Sequence, residues 1–124
     1  MDNNRAKTIV DFVDFCSQAL GIGAKPRVKL VEDTSWALDR RSFGEYNPME
    51  TMLSVYVKNR NMADILRTIA HELVHHKQNE LGMIKPGSGN TGSDIENQAN
   101  SVAGIILREY GRMNQVIYEN KLQK

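Results

Sequence analysis

The chain has one cysteine, three prolines, one tryptophan and three histidines in 124 residues. A lone Cys16 excludes an internal disulfide and a zinc site made of several thiolates. No run of 18 apolar residues occurs, so no membrane-spanning helix is expected. The opening residues, Met1 to Arg5, lead into a segment broken by Asp11 and Asp14, unlike a secretory signal peptide. Neither sign of charge is in excess: 16 Lys and Arg meet 15 Asp and Glu, for a net charge of +1. That balance gives no broad attraction to nucleic acid or to a membrane surface. Internal repeats and low-complexity tracts are also missing. These absences predict a cytoplasmic protein or one carried in a particle such as a virion.

What is present suffices for one α+β domain over residues 1–124. Nine each of Leu, Ile and Val lift the apolar content above the level of a disordered chain. A length of 124 residues leaves no room for a second core. Ile9, Phe12, Val13, Cys16 and Leu20 mark one face of an N-terminal helix over 5–20, stopped by Gly21 and Gly23. Cys16 lies on that stripe and reads as packing. Residues 27–33 alternate as a strand, and 36–42 are ambiguous between helix and strand. Residues 42–46 and 51–57 read as two strands around the turn-rich 47–50, which gives a short antiparallel or mixed sheet. Asn61 caps a helix running to about Leu81, with Asp64 in its first turn and Gly82 at its end. A Gly-rich flexible loop spans 82–93. Ser93 or Asp94 caps the next helix, which Gly111 ends or bends. Residues 113–124 form a loose tail or a short helix.

Within the second long helix stands His71-Glu72-Leu73-Val74-His75. Histidines four apart stack on one helical face, so their imidazoles converge on a single ion. Glu72 is rotated about 100° from His71 and reaches water beside that ion without being a ligand. This is the arrangement of zinc hydrolases. Such a site needs a third protein ligand and an open position for water. His76 points about 100° away from His75 around the helix and does not complete it. Of the later carboxylates, Asp94, Glu96, Glu109 and Glu119, Glu96 is the best placed. The intervening residues 76–95 can finish one helix, reverse, and begin a second beside it. Small Ala99 and Ala103 allow close approach. Asn100, one turn beyond Glu96, can accept the outer N–H of a liganding histidine. Asp94 is the substitute ligand but reads as a cap.

These residues resemble the gluzincin branch of the zincin metallopeptidases. The run Glu96-Asn97-Gln98-Ala99-Asn100-Ser101-Val102-Ala103 is similar to the Glu-x-x-Ala-Asn-x-x-Ala run of ImmA/IrrE-type peptidases. His75-His76-Lys77-Gln78 is similar to the His-x-x-Gln endings of phage-borne and toxin-associated zincin domains. The resemblance covers roughly residues 43–107. It implies a small zincin-like domain holding one zinc per chain on His71, His75 and Glu96, with Glu72 as general base. It implies hydrolysis of peptide bonds in a protein or peptide substrate. A phage origin fits the eleven asparagines and the small size.

In proteins of that type the strand before the active helix rims the cleft. The matching segment is Met52 to Val57, so Ser54, Val55 and Tyr56 are expected to bind an extended substrate along an open edge. The oxyanion donor is not assigned; Tyr46, His76, Arg108 and Tyr110 are candidates by type. Lys77, Lys85, Arg108 and Arg112 read as solvated surface charge. Two other readings compete with a peptidase: a zinc-binding structural protein of a virion, and a zinc amidase acting on a cell-wall peptide.

Overall fold

Asp2 starts the first helix by accepting the Arg5 N–H at 2.8 Å. Helix α1 then runs Asn3–Leu20 and ends on Gly21, whose φ of 65° is left-handed. In this computed structural model, which describes residues 1–85 and 93–118, six further helices and strands follow. They are β1 (Arg27–Val31), α2 (Thr34–Arg40), β2 (Gly44–Asn47), β3 (Met52–Tyr56), α3 (Met62–Glu80) and α4 (Asp94–Met113). A 3-10 turn, Gln115–Tyr118, closes the described chain. The architecture is α+β: four helices and a three-stranded mixed sheet.

The ambiguous 36–42 segment is mostly helical. Asp33 fixes this by accepting the Ser35 N–H at 3.0 Å, and Arg41 ends α2 in the left-handed region. Gly111 does not end α4, which continues to Met113. The Tyr118 ring rests directly on Gly111, where a Cβ would lie 2.4 Å from the Tyr118 hydroxyl. The described part of the tail forms a 3-10 turn over Gln115–Tyr118, with Ile117 buried. Much of the expected loop, residues 86–92, and the end, 119–124, lie outside the described residues.

The strand order is β1-β3-β2. Strand β3 pairs in parallel with β1, Arg27 opposite Met52, and antiparallel with β2, Gly44 opposite Val55. Between β1 and β3 the chain crosses over through α2 and β2, a connection long enough for a parallel return. This overturns the expectation for Ser54, Val55 and Tyr56. They belong to a central strand whose ladder groups are used on both sides, so no peptide can add there. Among the described residues, the outer strands of the sheet are β1 and β2.

Helix α3 lies in the middle of the molecule. Its Ile65, Leu66, Ile69 and Leu73 are fully buried against Leu53 and Val55 of the sheet, Phe12 and Cys16 of α1, and Ile106 of α4. Each such side chain contributes about 1.5–3 kcal/mol of transfer free energy. Cys16 is fully buried, as its place on the apolar stripe implied, and burial pushes its thiol far above the usual range. Among the described residues, no helix is long and apolar enough to cross a membrane.

Candidate metal centre

Two caps set the geometry of the site. Asn61 accepts the Asp64 N–H at 2.8 Å and starts α3, which carries His71 and His75 one turn apart. Ser93 accepts the Glu96 N–H at 3.2 Å, so Glu96 falls in the first turn of α4. The two helices pack side by side, with Ala99 and Ala103 buried between them. Glu96 is thereby brought against both histidines.

His71 Nε2 lies 3.1 Å from Glu96 Oε1, His75 Nε2 lies 3.0 Å from Glu96 Oε2, and the two Nε2 atoms are 3.1 Å apart. Among the described residues this is the one group of three or more His, Cys, Asp or Glu able to hold a metal ion. The spacing fits such an ion. Bonds of about 2.0–2.1 Å at tetrahedral angles separate neighbouring ligand atoms by roughly 3.3–3.4 Å. The chemistry fits too. Burial, then the neighbouring His75, pull the His71 pKa down against the attraction of Glu96, which favours a neutral imidazole with a lone pair to give.

Both candidate histidine ligands have a further hydrogen-bond partner. His75 Nδ1 is 2.8 Å from Gln78 Oε1. Asn100 is a hydrogen-bond partner of His71. Asp94 is not in the cluster; it sits one residue past the Ser93 cap.

Glu72 is buried and faces the same space as the ligands. Burial first, then the charges of Glu96 and Glu45, push its pKa up to about 8. Strand β2 presses on this carboxylate. A Cβ at Gly44 would stand 2.7 Å from Glu72 Oε2 and 2.5 Å from Thr68 Cγ2, so only glycine fits. These groups line a cavity of about 660 Å³. Its walls are Gly44 and Tyr46 of β2 with Pro48, the three α3 residues 71, 72 and 75, Ile84 and Lys85 beyond α3, and Ile95, Glu96, Asn97 and Asn100 of α4.

Of the four oxyanion candidates, only Tyr46 lines this cavity. Its hydroxyl is already committed. His76 Nε2 is 2.7 Å from the Ala24 carbonyl, which can only accept, so Nε2 carries the proton. Its Nδ1 shares a hydrogen bond of 2.8 Å with the Tyr46 hydroxyl. Asn79 Nδ2 donates to the same oxygen at 3.1 Å. Tyr46 thus lines the cavity with its hydroxyl held by His76 and Asn79. His76 is buried with both ring nitrogens engaged. Tyr110 is a core residue, its ring edge-on to Phe12 and Phe15. Arg108 lies in a separate groove with Arg112 and Tyr118. Glu109 pairs with Arg112 at 3.1 Å, and Glu119 lies outside the described residues. Lys77 donates to the Gly21 carbonyl at 2.8 Å, so it ties α3 to the loop after α1.

The sequence places Gly44 in a strand and Gln78 on the active helix but assigns neither a part in the site. A glutamine three residues after a histidine sits on the same helical face, and that spacing was the available signal. No family model, curated protein or solved structure matches the chain.

Proposed function

We propose that this protein is a zinc-dependent peptidase of the gluzincin type, hydrolysing peptide bonds of a protein or peptide substrate. One observation carries the reading: a buried carboxylate, Glu72, shares a cavity with three converging metal donors, His71, His75 and Glu96. Two imidazoles and a carboxylate are a donor set that zinc favours when one position is left for catalysis. Zinc held there would supply Lewis acidity, polarising a carbonyl and acidifying water. A closed structural site has no use for Glu72, whose burial beside the ligands favours the catalytic reading.

The chain's own residues divide the remaining work. Glu72 takes the proton of the attacking water and hands it to the leaving amine. The open edge beside the cavity is β2. An extended substrate adds to it by main-chain pairing, and this replaces the β3 edge expected from sequence. Tyr46 stands on that edge and lines the cavity beside the substrate path. Ile84, Ile95 and Pro48 offer it an apolar wall.

Substituting Glu72→Gln tests the reading, since an amide keeps the size of the side chain and cannot take the proton. Zinc content is expected to stay near one per chain while cleavage of a proteome-derived peptide library falls about 10²-fold or more. Equal cleavage by both proteins would refute the assigned base. Zinc binding with no cleavage by the wild type would favour a structural role.

A further inference from the structure

Gln78 takes no part in the chemistry above, yet it is 1% exposed, the most buried polar side chain in the described chain. Its amide is used at both ends. Nε2 lies 3.1 Å from the Ile95 carbonyl and 2.8 Å from Gln98 Oε1, while Oε1 lies 2.8 Å from His75 Nδ1. The orientation is forced by chemistry. A backbone carbonyl only accepts, so the atom beside Ile95 is the NH2. The oxygen therefore faces His75, and Nδ1 is the protonated ring nitrogen. Nε2 is the ring nitrogen turned toward His71 and Glu96, 3.1 and 3.0 Å away, and the one through which the imidazole would bind a metal. The other end of the amide holds α4 at Ile95 and Gln98, the residues on either side of Glu96 in the first turns of that helix.

We propose that Gln78 is a positioning residue that couples the His75 tautomer to the placement of Glu96, so that the three-donor centre is assembled before an ion arrives. One buried amide performs both tasks, and neither can be met by an apolar side chain of the same length. Removing it frees the Nε2–H form of His75, which blocks the lone pair, and unties the turn that carries the third donor. The proposal rests on the reading of the centre as a zinc site, and its test separates the two.

The test uses the full chain and three proteins: wild type, Gln78→Met and Gln78→Glu. Zinc affinity is measured by chelator competition, and ring tautomers by long-range ¹H–¹⁵N spectra of the metal-free proteins, in which only three histidines need assignment. In the wild type, His75 is expected to carry its proton on Nδ1. Gln78→Met is expected to lose 10- to 100-fold in zinc affinity, as for other residues that hold a liganding histidine, and to shift His75 toward Nε2–H. Gln78→Glu keeps an acceptor for Nδ1–H but cannot donate to α4. It is expected to hold the tautomer and bind zinc with an affinity between those of the other two. A folded Gln78→Met that binds zinc as tightly as the wild type overturns the proposal. So does an Nε2–H tautomer in the wild type. If Gln78→Met does not fold, Gln78→Glu and the wild-type spectrum decide: Nδ1–H in both with weakened zinc binding supports the coupling, and undiminished binding by Gln78→Glu overturns it. A wild type that binds no zinc refutes the zinc site itself, while an Nδ1–H tautomer in that protein would still uphold the hydrogen-bond assignment.

Discussion

Replacing Gly44 with alanine asks whether β2 needs to lie hard against the base. The new methyl would stand 2.5 Å from Thr68 Cγ2 and 2.7 Å from Glu72 Oε2. Thr68 cannot turn aside freely, because its hydroxyl donates to the Asp64 carbonyl at 3.1 Å and accepts from Arg60 Nη2 at 2.8 Å. Glu72 is buried and has little room to retreat. The strand must therefore lift, and forced overpacking of this kind costs about 1–3 kcal/mol. For a chain of this size that corresponds to a fall in Tm of roughly 3–15 °C. The three atoms nearest the methyl belong to Thr68 and Glu72 and none to a metal donor, so zinc content should hold while turnover drops. Gly104→Ala is the matched control. There the added methyl meets only Arg67 Nη1 at 3.8 Å, in the middle of α4. Alanine should stabilise that helix by about 0.5–1 kcal/mol. Thermal melts, zinc analysis and peptide cleavage on both variants make the comparison. A Gly44→Ala protein with the wild-type Tm and turnover would refute the packing argument.

Other predictions test separate parts of the molecule. Replacing His71, His75 or Glu96 by Ala should each abolish stoichiometric zinc in equilibrium dialysis and lower the melting temperature of the zinc-loaded protein, because metal binding is linked to folding; full zinc in Glu96→Ala would move the third ligand elsewhere. Cys16 should resist alkylation in the native protein and react fully in denaturant, since its buried thiol is held protonated; native labelling at the denatured rate would contradict its burial. The Glu80 carboxyl is held below its ordinary pKa, chiefly by the Ala24 N–H at 3.0 Å and then by Gly23. A lowered folded pKa adds stability above the unfolded value, and that gain is lost as pH falls through the folded pKa. Glu80→Gln should thus be less stable than the wild type at pH 7 and lose less on acidification below about pH 4.5; parallel stability curves for the two proteins would refute the linkage.

The long helices and the convergence of the candidate donors were legible because local chemistry fixes them. Asn61 and Ser93 cap wherever the chain folds, and a four-residue spacing brings His71 and His75 together on any helix. Glu96 was reachable because two helices joined by one connection are neighbours. The place of β3 in the sheet was not legible. Alternation along Leu53, Ser54 and Val55 reads alike for a central and an edge strand, and the parallel partner β1 lies some 25 residues away. Helix α2, with 7 residues, is too short for periodicity to separate it from a strand; only Asp33 marked its start. The bond between Tyr46 and His76 joins residues 30 apart and depends on the packing of β2 over α3.

The three donors differ in how firmly their backbones are held. His71 and His75 sit well inside α3, a helix of 19 residues enclosed by the rest of the molecule, whereas Glu96 is only the third residue of α4. Helix ends open at little free-energy cost, and the interior of a central helix opens only with the whole fold. Amide exchange should therefore be slowest around His71 and His75 and faster at Glu96. An ion held by these three donors would then have an exchange route that spares the core, through unwinding of the first turn of α4 and release of the Glu96 carboxylate. The lifetime of the loaded protein would be set by the fraying of one helical turn and not by the stability of the domain.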